Sequence, residues 1–207
     1  RTTYTASYTR VLFWFILLVS KQSTMFTESF EDGSLQDYIN QNTKDPWVGT
    51  PFEKYVLVGN KIKGEFGERF VHKYMESKGH DVKRAKTSTA GHDRVIDGIR
   101  TEIKFSLAIR KKDKNGVIIG VTKDKFIINH LACGKDWERF IFCGINPNED
   151  DIRIFYILKA DFEAYLKSDG CLFKVQQGGK DSGNDDYICT EVKDLLECDF
   201  VKEISEW

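Results

Sequence analysis

The sequence predicts a single α/β domain in which a mixed β-sheet is flanked by helices. Three observations predict it. A helical run of apolar residues precedes two β-rich segments joined by Asp97-Gly98. Two further β-rich runs, Phe140 to Ile145 and Ile152 to Leu158, are separated by a turn through Asn146-Pro147-Asn148-Glu149-Asp150. The length, 207 residues, suffices for one α/β core but not comfortably for two.

Taken in order, Val11 to Val19 is apolar but shorter than the ~20 residues a membrane-spanning helix needs. Arg10 precedes it as in a secretory leader, yet no small-x-small cleavage site follows. The first methionine is Met25. We therefore expect residues 1–24 to be an upstream or non-native extension and residues 25–207 to be the domain. Asp32-Gly33-Ser34 and Asp45-Pro46 punctuate the next stretch, with a short helix expected near Ser34 to Asn40. From about Pro51 to Lys78 the spacing is helical, with Phe66, Phe70, Val71, Tyr74 and Met75 on one face and Gly79 as the C-cap. Val82 begins an extended segment, and Arg94 to Ile96 and Ile99 to Leu107 read as strands. Phe126 to Leu131 reads as a helix. Asp161 is expected to cap a helix that runs to Lys167 and ends at Asp169-Gly170.

Composition narrows the class. With 41% hydrophobic and 30% charged residues, the chain is that of an ordinary globular protein. Five cysteines with no Cys-x-x-Cys pair argue for a reducing, cytoplasmic compartment and against a zinc ribbon or disulfide framework. The net charge of -1 hides an asymmetry: Lys78 to Lys125 holds 13 basic and 6 acidic residues. Lys83, Arg84 and Lys86, then Arg110, Lys111, Lys112 and Lys114, then Lys123 and Lys125 form its clusters. A phosphate-binding face would have this pattern, and so would a solvated surface.

The Asp97-Gly98 turn organises the most informative segment. Asp-Gly between β-rich runs signals a two-residue hairpin, because both turn positions must accept positive φ. Ile96 then pairs with Ile99, Val95 with Arg100 and Arg94 with Thr101, and the register extrapolates to Asp93 opposite Glu102. Lys104 and Ser106, two and four residues past Glu102, point to the same side. One sheet face thus carries two carboxylates, an ammonium and a hydroxyl. Opposed carboxylates repel unless a cation lies between them, and hard oxygen donors suit Mg²⁺. The alternative is an exposed hairpin with a surface ion pair. Glu76-Ser77-Lys78 and Glu191-Val192-Lys193 share the Glu-x-Lys pattern but lack an opposed acid across a hairpin turn.

Asp93-x8-Glu102-Ile103-Lys104 resembles the PD-(D/E)xK nuclease signature, with His92 where proline usually precedes the first Asp. Gly67-Glu68-Arg69, on a helix ending at Gly79 and followed by Asp81-Val82, resembles the helix preceding the hairpin in many members. There a helical Glu joins the active site, which would make Glu68 an auxiliary metal or water ligand, with Glu65 as its competitor. Phe126 to Leu131, then Trp137 to Pro147, then Lys159-Ala160-Asp161-Phe162 resemble the helix, core strands and following helix of type II restriction endonucleases. The resemblance covers Lys61 to Leu166. It implies a restriction-endonuclease-like domain with Asp93, Glu102, Lys104 and Glu68 catalytic, and Asp93 and Glu102 binding Mg²⁺. It further implies cleavage of double-stranded DNA at a short specific sequence to give 5′-phosphates. A homodimer reading a palindromic site and a cognate DNA methyltransferase in the same system would accompany it.

Gln176, Gln177, Lys180 and Asn184, in a glycine-rich stretch, are candidates for contact with bases or phosphates. Together with Lys83, Arg84, Lys86, Ser106, Arg110, Lys111 and Lys112 they make up the expected DNA-binding set, and residues 171–207 would contact DNA or form the dimer. His72, His80, His92 and His130 show no paired metal spacing, and His92 beside Asp93 reads as structural. A junction resolvase or repair endonuclease, and a DNA-binding module without catalysis, are the competing functions.

Overall fold

The computed structural model describes residues 32–87, 89–123, 125–177 and 186–204. The expected extension, residues 1–24, lies outside them. The chain divides into two units, Arg1–Lys44 and Asp45–Trp207. In the first, helix α1 (Ser34–Thr43) buries none of its residues. In the second, a 3-10 turn at Tyr55–Leu57 precedes helix α2 (Asn60–Ser77). The backbone is extended at Val58 and Gly59, so the helix proper starts later than Pro51. Val71 and Met75 are fully buried on its inner face. Gly79 ends it at φ +93°, a left-handed conformation that leaves the His80 amide free to donate to the Met75 carbonyl.

A six-stranded sheet forms the frame. Its strands are β1 (Val82–Arg84), β2 (Arg94–Ile96), β3 (Ile99–Leu107), β7 (Arg139–Asn146), β8 (Asp151–Leu158) and β11 (Lys202–Glu203), neighbours in that order. Every pairing is antiparallel except β3 with β7. Between those two strands the chain makes a hairpin, β4 (Arg110–Lys112) with β5 (Ile118–Val121), and then β6 (Ile128–Ala132). β6 belongs to a second sheet with β10 (Asp186–Cys189) and β9 (Lys174–Gln177). Helices α3 (Lys159–Tyr165) and α4 (Val192–Leu195) complete the unit. Among the described residues no helix is long and apolar enough to cross a membrane.

Strand β7 is buried along its whole length, as a strand with a parallel neighbour and cover on both faces must be. Ile141, Cys143 and Ile145 pack with Val71 and Met75 of α2 and with Ile103 of β3. Phe140 and Phe142, on the alternate side, join Trp137, Ile128, Leu131, Phe162 and Cys189 in a larger aromatic core. None of the five cysteines forms a disulfide; burial pushes Cys143 up to about 12 and Cys189 to about 11.

The hairpin pairs as expected at Ile96–Ile99, Val95–Arg100 and Arg94–Thr101, with Asp97 at φ +50° and Gly98 at +82°. Two expectations are corrected. Phe126 to Leu131 is not a helix: Ile128–Ala132 is strand β6, paired to β10, and His130 stands at φ +55°, which no helix tolerates. A short apolar run has no period that separates a buried helix from a strand, and the β-branched isoleucines favoured the strand. The last expected helix is α3, which starts at Lys159 and ends at Tyr165. Its N-cap is Leu158, so Asp161 sits in the first turn, facing the positive end of the helix dipole, rather than capping it.

Gly67 sets how closely α2 approaches β3. A Cβ there would lie 2.2 Å from the Cβ of Phe105, an atom that cannot swing aside. Helix propensity alone favours Gly67→Ala by about 1 kcal/mol. We expect instead a loss of about 1–3 kcal/mol from the forced separation of helix and strand, read as a lowered urea midpoint at unchanged slope.

Candidate active site

β2 is three residues long and β3 nine, so the hairpin ladder stops at Thr101. Beyond it β3 keeps its parallel neighbour β7, through Glu102–Phe140, Lys104–Phe142 and Ser106–Gly144, while among the described residues no strand pairs with its other edge. Asp93 enters at the end of the shorter strand. Its amide donates to the carbonyl of Thr101, the residue already paired with Arg94, at 3.1 Å. This local irregularity corrects the expectation that Asp93 stands directly opposite Glu102. The Asp93 carboxylate instead lies along the open edge, where Oδ2 accepts the Ile103 amide at 2.7 Å.

Glu102 is 2% exposed. Its Oε1 accepts from Lys104 Nζ at 2.6 Å and from Lys135 Nζ at 3.1 Å. Lys104 is largely enclosed, whereas Lys135, in the turn before β7, remains half exposed. Asp93 is pushed up to about 6 by burial first and by the Glu102 carboxylate second; the Ile103 amide and Lys104 oppose the shift. Glu68 adds to the repulsion but is itself occupied, with Oε2 3.0 Å from Nη1 of the buried Arg94. Arg94 Nη1 also donates to the Asp93 carbonyl at 2.7 Å. Among the described residues no group of three or more His, Cys, Asp or Glu side chains forms a ready metal cage. The site offers a carboxylate pair with ammonium groups beside it.

These side chains open into a cleft of about 650 Å³ that Asp93, Glu102, Lys104, Ser106 and Glu68 all line. Ser106 is engaged in the scaffold, donating to the Leu107 carbonyl at 2.7 Å and accepting the Ile127 amide at 3.2 Å. Of the expected basic residues, Arg110 lines the cleft. Lys63 lines it too, and burial first, then the Arg110 charge, lowers the Lys63 ammonium from its ordinary value. Lys83 and Arg84 sit exposed on edge strand β1, with Lys83 paired to Asp81 at 2.6 Å. Lys86 is exposed just beyond β1, and Lys111 and Lys112 are exposed on β4. Gln176 is half-buried on β9 and outside the cleft lining. Lys180, Asn184 and the side chain of Gln177 lie outside the described residues. His92 Nδ1 faces two carbonyls to which it can donate, Ala90 in its own loop at 3.0 Å and Asp136 in the turn before β7 at 3.1 Å.

Sequence reading missed Lys135, Lys63 and His130 as members of this cleft, and Arg94 as the partner of Glu68. Lys135 carries no pattern of its own; it arrives because the turn before β7 must lie beside the start of β3 when the two run parallel. Lys159 fixes that turn, donating to the Lys135 carbonyl at 2.8 Å.

No family model matches the chain, and no curated protein matches it in sequence. Among solved structures it is similar to a bacterial homing endonuclease, I-Ssp6803I, at 12% identity and a TM-score of 0.36, over 67% of this chain and 93% of that one. A likeness of that degree decides nothing about activity.

The raised Asp93 has a stability consequence. An unfolded aspartate titrates near ~3.9, so between that pH and about 6 the folded protein binds the extra proton. Stability therefore falls as pH rises through this window. Asp93→Asn keeps an acceptor for the Ile103 amide and removes the charge. In EDTA it should exceed the wild type in stability by roughly 2–3 kcal/mol at pH 8, with the advantage fading towards pH 4. Urea titrations at the two pH values measure it; a variant equally destabilised at both would refute the repulsion.

Proposed function

We propose that this chain is a divalent-metal-dependent DNA endonuclease of the sequence-specific, type II restriction class. The observation that carries the nuclease half is the convergence of Asp93, Glu102 and Lys104 at one open strand edge, with Asp93 raised by burial first and by Glu102 second. The restriction half rests on the resemblance over Lys61 to Leu166, less the helix expected at Phe126 to Leu131, which is a strand.

Mg²⁺ fits the donor set, since Asp93 and Glu102 are hard oxygen donors whose mutual repulsion a cation would relieve. When bound, it would polarise the phosphate and make a water molecule a stronger nucleophile. The protein's own groups do the rest. Lys104 and Lys135 hold Glu102 and offset the charge that builds on the phosphate during attack. Lys63 and Arg110, on the cleft wall, attract the nucleic-acid backbone. Arg94 neutralises Glu68 and ties the helix to the strand that supplies Asp93. The products would carry 5′-phosphates. A homodimer reading a palindromic site, and a methyltransferase protecting host DNA, belong to the same proposal.

Supercoiled plasmid incubated with the protein and Mg²⁺ should yield discrete linear fragments, and EDTA should abolish them. Glu102→Ala and Lys104→Ala should each lower cleavage by about 10²–10⁴-fold, with gel-shift binding retained. Cleavage confined to branched DNA would turn the assignment to a resolvase. Binding without cutting would make the chain a DNA-binding module, and full activity in either variant would refute the site.

A further inference from the structure

The wall of the cleft contributed by β6 contains an irregularity with a chemical consequence. β6 and β10 pair at Asp186–Ala132 and Tyr187–Leu131, then at Cys189–Ile128. Ile188 therefore faces two residues, Asn129 and His130, which is a β-bulge. Both Asn129 and His130 line the cleft that holds Asp93 and Glu102. At the bulge His130 adopts φ +55°, a left-handed conformation uncommon outside glycine. Bulges of this kind re-aim side chains beside active sites, and backbone strain of this kind persists where the surroundings enforce it.

The imidazole so delivered is held. Its Nδ1 lies 2.6 Å from Oδ2 of Asp186, whose side chain is only 18% exposed. With Nδ1 committed to a carboxylate, Nε2 is the nitrogen left to serve a cleft ligand. A histidine whose tautomer is set by an acid suits proton transfer, because imidazole as a class exchanges protons near neutral pH. The neighbouring groups suit it less. Tyr55, also in the cleft lining, is pushed up to about 12 by burial. Ser106 spends its proton on the Leu107 carbonyl, and Lys104 and Lys135 both bind Glu102. Cationic attraction for phosphate is already supplied by Lys63 and Arg110.

We infer that His130 is the general acid of the reaction and that Asp186 is its positioning residue; the inference rests on the nuclease reading above. As the water oxygen bonds to phosphorus, the P–O3′ bond breaks and its electron pair leaves on O3′. The Nε2 proton of His130 passes to that oxygen, giving a 3′-hydroxyl. The attacking water releases its own proton to solvent, from which the neutral imidazole is recharged.

The test uses the full chain and two DNA substrates with one scissile site, the natural phosphodiester and a 3′-bridging phosphorothiolate. Sulfur leaves as a thiolate without needing a proton. His130→Gly, which accepts the left-handed backbone without strain, should lower kcat on the natural substrate by about 10²-fold or more with KM nearly unchanged. On the phosphorothiolate it should cut within about threefold of the wild type. Asp186→Asn should show the same pattern in milder form. An equal loss on both substrates, or no loss on either, overturns the inference while leaving the nuclease reading intact. A wild-type protein that cuts neither substrate in Mg²⁺ overturns both.

Discussion

The site depends on β2 ending six residues before β3 does. Had the hairpin been of equal arms, the Ile103 amide would have been spent on a ladder partner and the edge closed. Because β2 stops at Arg94, that amide is available to the Asp93 carboxylate, at 2.7 Å. The unpaired edge that proteins ordinarily cover or charge is here turned into the wall of a cleft. Parallel pairing with β7 supports the arrangement from the other side, where the buried residues of that strand hold β3 in place while one edge stays open.

The electrostatics follow from enclosure. Burial first and the neighbouring Glu102 second raise Asp93, while two ammonium groups hold Glu102. Arg94 removes the third carboxylate from the contest by pairing with Glu68. The charged groups are thus sorted into a structural pair that joins helix to strand and a reactive set that opens to the cleft. Such an imbalance costs stability in the free protein, and a cation bound as proposed above would relieve it.

Much of this was legible in the chain. Asp97-Gly98 specified the turn, since Asp97 at +50° and Gly98 at +82° are conformations few other residue pairs accept. The turn set the register, and the register with a period of two put Glu102, Lys104 and Ser106 on one side. The helix over Asn60–Ser77 and strands β7 and β8 were written in apolar periodicity and β-branched runs. Local pattern failed where the period was ambiguous. Phe126 to Leu131 could satisfy either geometry, and only a partner strand some fifty residues later, β10, made it a strand.

What the sequence determined by itself, then, is the hairpin, its turn and the side on which Glu102 and Lys104 project, because these follow from steric limits on neighbouring residues. Tertiary structure alone decided the place of Asp93, one step off the ladder, the assembly of Lys135 and His130 around the same cleft, and the pairing of Arg94 with Glu68. Those positions depend on which strands pair, in which direction and with which irregularities. Pairing energy is shared among residues far apart in the chain, so no local stretch records it. The bulge at Asn129-His130 is the clearest instance: the extra residue opposite Ile188 exists only because β6 pairs with β10.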